Sequence, residues 1–160
     1  MDLENEEFRL LAQYAEQCGL KYMVIVGFAM YLNGLARTTE DVDVWVEPTA
    51  DNLQRFVCTL LGMGYEEAEL DHLKTLDFTQ PQVFGLSDYI DVLTVVHRRF
   101  NFEECFNRSR LCTNPHGNKI HFLHLNDLRE TKVLARRPQD LRDIIQIDDY
   151  LRRKESDANK

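Results

Sequence analysis

Tyr22-Met-Val-Ile-Val-Gly-Phe-Ala-Met-Tyr-Leu-Asn-Gly-Leu-Ala-Arg-Thr-Thr-Glu-Asp-Val-Asp-Val-Trp-Val46 is the stretch on which the fold turns. Its first five residues form a continuous apolar run, short enough for a buried strand. Gly27 follows directly, and Ala29, Met30 and Leu32 then predict a short helix ending near Gly34. Val42-Asp-Val-Trp-Val46 reads as a second strand, stopped by Glu47-Pro48. Asp41 and Asp43 are the anomaly in that strand. At i and i+2 their carboxylates leave one face, roughly 6 to 7 Å apart along the chain. Two acids among residues that want burial repel each other unless a cation or an arginine lies between them. A divalent cation is the economical answer, and magnesium takes one or two carboxylates together with substrate phosphates. The alternative is an edge strand whose aspartate face is simply solvated.

Outward from this segment the pattern alternates. Phe8, Leu11, Tyr14 and Ala15 recur at helical spacing over residues 5–18. Thr49 is placed to cap a helix over 50–62, with Leu53, Phe56, Val57, Leu60 and Leu61 inward. Residues 74–78 and 82–85 are read as strands, 89–96 as a stronger one rich in β-branched residues, and 119–123 as the last. Helices over 125–135 and 138–152 close the chain, with Pro138 in a first turn. Strands interleaved with helices around one sheet give an α+β domain with α/β-type layering. The domain is expected to span 1–154, with a loose tail over 155–160.

Asp91 is a third charge where the pattern wants apolar residues. If its strand pairs beside 42–46, Asp41, Asp43 and Asp91 converge. Three such carboxylates can hold two magnesium ions (manganese is an alternative) for in-line phosphoryl or nucleotidyl transfer, and one can take the proton of an attacking hydroxyl. Gly27, after a strand and before a helix, lets backbone N–H groups face an anion such as a triphosphate. Lys132 shares a helical stripe with Leu125, Leu128 and Ala135, flanked by Arg129 and Arg136. Either its stem snorkels, or its ammonium reaches phosphates or the aspartates. Arg37 either contacts phosphate, braces Asp41 or is a solvated loop residue.

The combined motif, from Val26 through Val46 and on to Asp91, resembles the signature of the DNA polymerase β-like nucleotidyltransferase superfamily. It looks most like the small bacterial branch that includes toxin–antitoxin nucleotidyltransferases. Arg37-Thr-Thr-Glu-Asp is similar to a lead-in of that branch. Asp127 to Lys132 and Arg137 to Asp143 look like its closing helix–turn–helix. The resemblance spans residues 22 to 148. It implies a central mixed sheet flanked by helices with a C-terminal helix pair. It also implies a metal site at Asp41, Asp43 and Asp91, and a nucleotide-binding turn at Gly27 and Phe28, with ATP the favoured NTP. The activity implied is transfer of a nucleoside monophosphate to a hydroxyl of a protein or small molecule. Val26 stands where the family has its first turn glycine. That departure motivates a second reading, a catalytically degenerate protein of this fold acting through protein contacts.

The chain of 160 residues carries 19 basic and 27 acidic side chains, a net charge of −8. Residues 1–80 hold 15 acids and 5 bases, and residues 81–160 hold 12 and 14. So acidic a chain is not expected to bind nucleic acid generally. No apolar stretch approaches the roughly 20 residues of a membrane span, and the start MDLENEEF is acidic where a secretory signal is basic. The expectation is a cytoplasmic protein whose acceptor is held by a partner chain or a second copy. Cys18, Cys58, Cys105 and Cys112 are expected as free thiols. His116, His121 and His124 match no metal spacing.

Overall fold

A computed structural model describes residues 3–158 of the chain. In order, the elements are α1 (Glu6–Cys18), β1 (Tyr22–Ile25), α2 (Val26–Leu32), β2 (Val42–Val46) and α3 (Ala50–Met63). A 3-10 turn over Glu67–Leu70 then runs into α4 (Asp71–Lys74). β3 (Val83–Gly85), β4 (Ile90–Leu93), α5 (Phe102–Arg108), β5 (Arg110–Thr113), β6 (Lys119–Phe122), α6 (Leu125–Ala135) and α7 (Pro138–Ala158) complete the fold. Six strands form one mixed sheet in the order β3-β4-β2-β1-β6-β5. The chain is therefore mixed α/β, as its alternating pattern predicts.

β1 is buried at all four positions because strands flank it on both sides and helices cover both faces. It runs antiparallel to β2 and parallel to β6, while β2 and β4 run parallel. The C-terminal end of β1 thus lies beside the N-terminal ends of β2 and β4. Alternation assigns the two faces of β2 and β4. Val42, Val44, Ile90 and Val92 are buried on one, and Val44, Val46 and Val92 meet Leu11 of α1 and Phe56 of α3 there. The opposite face carries Asp43, Asp91 and Trp45, whose indole packs edge-on against Phe102 of α5 at 5.2 Å and donates to the Thr94 carbonyl at 2.9 Å.

Local signals explain several helix ends. Asn5 caps α1 by accepting from the Glu7 and Phe8 amides, and the helix stops at Gly19 with φ 69°. Thr49 caps α3 through the Asn52 amide. His124 caps α6 through the Asn126 amide, and His121 lies against the Phe106 ring with its Nδ1 2.9 Å from the Ser109 hydroxyl.

Four expectations are corrected. Residues 74–78 are no strand: α4 ends there, and the Asp77 carboxylate accepts from the Thr79 amide in a turn. Leu61 is not inward but 38% exposed, since Asn52 and Thr59 occupy the buried stripe of α3 instead. Residues 155–158 continue α7 as exposed helix, and 159–160 lie outside the described residues. Cys18 and Cys58 form a disulfide between α1 and α3, leaving Cys105 and Cys112 as the free thiols. Among the described residues no helix is long and apolar enough to cross a membrane.

The disulfide closes a loop with a sequence separation of 40, which contains β1, α2 and β2. On a chain-entropy account such a loop is worth roughly 4 kcal/mol. Reduction is expected to lower the unfolding free energy by up to that amount, measured by urea denaturation with and without a phosphine reductant. Identical midpoints in both conditions would show that the cross-link contributes nothing to stability.

Candidate active site

At the junction of the β1 C-terminal end with the β2 and β4 N-terminal ends lies a cleft of about 580 Å³. The sheet register builds its floor. Ile25 pairs with Asp43, and Asp43 pairs with Asp91, so the two carboxyl-bearing residues stand side by side on parallel neighbours. Asp41, two residues before Asp43, lines the same cleft. The expected convergence of the Asp91 strand on the 42–46 strand is thus present in the pairing itself.

The proximity has an electrostatic cost. Burial, then repulsion from Asp41 and Asp91, pushes the Asp43 carboxyl up to about 6, against the pull of Arg137 and Lys132. Asp41 is held by its own loop, where the Thr39 hydroxyl reaches Asp41 Oδ1 at 2.8 Å. Thr39 in turn leans on Gly27. A methyl group added to that glycine would stand 3.1 Å from Thr39 Cβ. The glycine therefore permits close packing of the loop that carries Asp41, a role separate from any contact with an anion.

Val26 lines the cleft and adopts φ 56°, the left-handed region that favours glycine. For a β-branched residue such a backbone costs about 1 to 3 kcal/mol. The position where a glycine is expected thus has the backbone of a glycine and the side chain of a valine. Phe28 is not among the cleft residues. One helical step beyond Gly27, its ring is directed into the core, 5.5 Å from the Phe8 ring.

The opposite wall comes from α6, α7 and the turn between them. Lys132 lines the cleft but is only 3% exposed, with its ammonium 2.6 Å from Asp143 Oδ2 and 3.4 Å from Asp140 Oδ1. Its charge is thereby spent on two buried carboxylates. Removing one partner from such a cluster typically costs about 3 to 5 kcal/mol. Arg37 approaches the same cluster, with Nε 3.6 Å from Asp143, and Gln139 donates to Asp143 at 2.9 Å. Arg129 and Arg136 do not line the cleft. Arg129 forms a two-point pair with Asp148 of α7, and Arg136 donates to the Val133 carbonyl.

Arg137, Asp140 and Asp143 were not singled out by the sequence pattern. Asp140 and Asp143 share the buried stripe of α7 with Ile147, and two acids on an apolar stripe three residues apart are the signal that marks them. Burial works against the Asp140 anion. Hydrogen bonds from Arg137 and the charges of Lys132 and Arg137 outweigh it and hold the carboxyl below its usual range.

The donor set suits a hard divalent cation, because the three acids on the cleft floor offer oxygen alone and their mutual repulsion would be relieved by it. Among the described residues, no group of three or more His, Cys, Asp or Glu side chains is already gathered tightly enough to enclose a metal ion. Magnesium commonly completes its shell with water and substrate phosphates, so an open carboxylate floor is compatible with it. Compared with protein families and with curated proteins, the chain matches none.

The raised Asp43 value fixes a pH dependence. The folded state binds this proton more tightly than the unfolded state, whose carboxyl titrates near 3.8. Without divalent metal, stability attributable to this group is present below pH 4 and is lost as pH rises through 6. Asp43→Asn is expected to be more stable than the parent by about 2 to 3 kcal/mol at pH 7.5, with no difference at pH 3.5. Denaturant melts at the two pH values measure it, and a variant less stable than the parent at pH 7.5 would contradict the assignment.

Proposed function

We propose that this chain is a magnesium-dependent nucleotidyltransferase of the DNA polymerase β-like type. It would transfer a nucleoside monophosphate from an NTP, ATP being favoured, to a hydroxyl group. The observation that carries the reading is the register that stands Asp43 beside Asp91, with Asp41 on the same cleft floor. A fold places like charges together at a cost, and polyphosphate chemistry is the use that makes such a cost understandable.

In this reading Asp41, Asp43 and Asp91 would hold the divalent metal. When bound, the metal supplies Lewis-acid polarisation of the phosphoryl oxygens and offsets the charge that develops on them. Asp91 accepts the proton of the attacking hydroxyl as its oxygen bonds to the α-phosphorus. The α–β phosphoanhydride bond breaks, and pyrophosphate carries away the electron pair. Thr39 keeps the Asp41 carboxylate aimed through its 2.8 Å hydrogen bond. Lys132, tied to Asp140 and Asp143, fixes the far wall. The acceptor, a protein or a small molecule, would be presented by a partner chain such as the other half of a toxin–antitoxin pair, or by a second copy. NTP as substrate keeps the cytoplasmic expectation, to which the Cys18–Cys58 disulfide lends no support.

A second reading is favoured by one observation, the strained Val26 at the cleft wall. In it, the fold has lost turnover and acts through protein contacts. Isothermal titration of Mg·ATP separates the possibilities. The parent is expected to bind, and Asp41→Asn/Asp43→Asn to bind at least tenfold more weakly. Equal heats from the two proteins would sink the enzyme reading. In the same titration, a large gain in affinity for Val26→Gly favours the degenerate site, and unchanged affinity favours the working enzyme.

A further inference from the structure

Lys132 is the cation that helical periodicity points to, yet its ammonium is enclosed. The ion network around it holds two carboxylates, Asp140 and Asp143, against three cations, Lys132, Arg37 and Arg137. One positive charge is therefore left over, and it matters where that charge meets solvent. Lys132 is 3% exposed, whereas the Arg137 side chain is 67% exposed and lines the cleft. Arg137 is also anchored. Asp140 accepts from its Nε at 2.8 Å, from its Nη2 at 3.3 Å and from its backbone amide at 2.9 Å. These bonds use one edge of the guanidinium, and Nη1 makes no hydrogen bond among the described residues. A planar fork fixed along one edge and open along the other is suited to a phosphate group.

We infer that Arg137 is the residue that grips the substrate's phosphates across from the carboxylate floor, with Asp140 as its positioning residue and Lys132 as the buried counter-ion that keeps Asp140 in place. The inference rests on the nucleotidyltransferase reading and assigns a substrate contact within it. It divides the labour of the basic residues. Lys132 neutralises carboxylates that folding has buried, and Arg137 neutralises phosphate that arrives from solution. An ammonium shared by two aspartates has little left to offer an incoming anion, while a guanidinium whose hydrogen bonds go to one carboxylate retains free donors and exposed surface.

The test is calorimetric titration of Mg·ATP into the parent, Arg137→Gln, Arg137→Lys and Arg136→Gln, with a thermal melt of each. Arg136 is the control, an exposed neighbour that does not line the cleft. Arg137→Gln is expected to weaken Mg·ATP at least tenfold while still melting cooperatively, at a midpoint lowered by the lost ion pair to Asp140, and Arg137→Lys to melt near the parent. Arg137→Lys should recover part of the loss, and Arg136→Gln should bind like the parent. Parent-like affinity in Arg137→Gln would overturn the inference while leaving the nucleotide reading standing. An equal loss in Arg136→Gln would also overturn it, since a diffuse basic edge would then suffice. A parent protein that binds no Mg·ATP would overturn the nucleotide reading, and this inference with it.

Discussion

Asp43 and Asp91 stand opposite each other on parallel strands, and everything around the cleft is arranged about that pair. Like charges in adjacent positions oppose sheet formation, and here burial adds to the repulsion. The strands nevertheless pair over four positions, from Val42 with Ile90 to Trp45 with Leu93. Val42, Val44, Ile90 and Val92 on the buried face, together with Trp45 and its bond to Thr94, supply the compensation. The carboxylates are thus held by the apolar alternation of their own strands. What remains is a field that a proton partly relieves at Asp43 and a divalent cation would relieve more fully.

The rest of the cleft handles charge in two ways. On the α6–α7 side, cations and carboxylates are matched in a buried network, with Lys132 between Asp140 and Asp143. On the floor the acids are left unmatched. Lys132 and Arg37 lie at the same cleft, yet both pair with carboxylates of α7 rather than with the floor. Val26 belongs to the same picture. Its left-handed backbone persists because β1 and α2 dictate the turn, and the strain falls at the wall of the cleft. The disulfide between α1 and α3 then closes the chain segment that contains this turn, Asp41 and Asp43.

Much of this was legible in the sequence, for physical reasons that can be named. Asp41, Asp43 and Asp91 announced themselves as charges inside β-branched runs, and Gly27 as a break between strand and helix. Thr49 and the bounds of α6 followed from capping and periodicity. α5 and β5 were not legible. Phe102–Arg108 is a seven-residue helix with few apolar positions, and β5 is an edge strand exposed along most of its length, so neither carries a clear period. Asp140 and Asp143 stand out as acids on the buried stripe of α7, but that they meet Lys132 depends on how α6 folds back on α7. The same holds for Cys18 and Cys58, which meet only because α1 packs on α3. The Phe28 ring lies off the cleft because the residue after Gly27 on α2 turns its side chain into the core.

The central claim is that Asp41, Asp43 and Asp91 together form a metal and polyphosphate floor. The most direct measurement is anomalous diffraction from crystals grown with manganese and a non-hydrolysable ATP analogue. The account predicts anomalous peaks within metal–oxygen bonding distance of these carboxylates, with the analogue's phosphates on the other side of the metal. Ordered analogue or manganese bound elsewhere, with this floor empty, would contradict it.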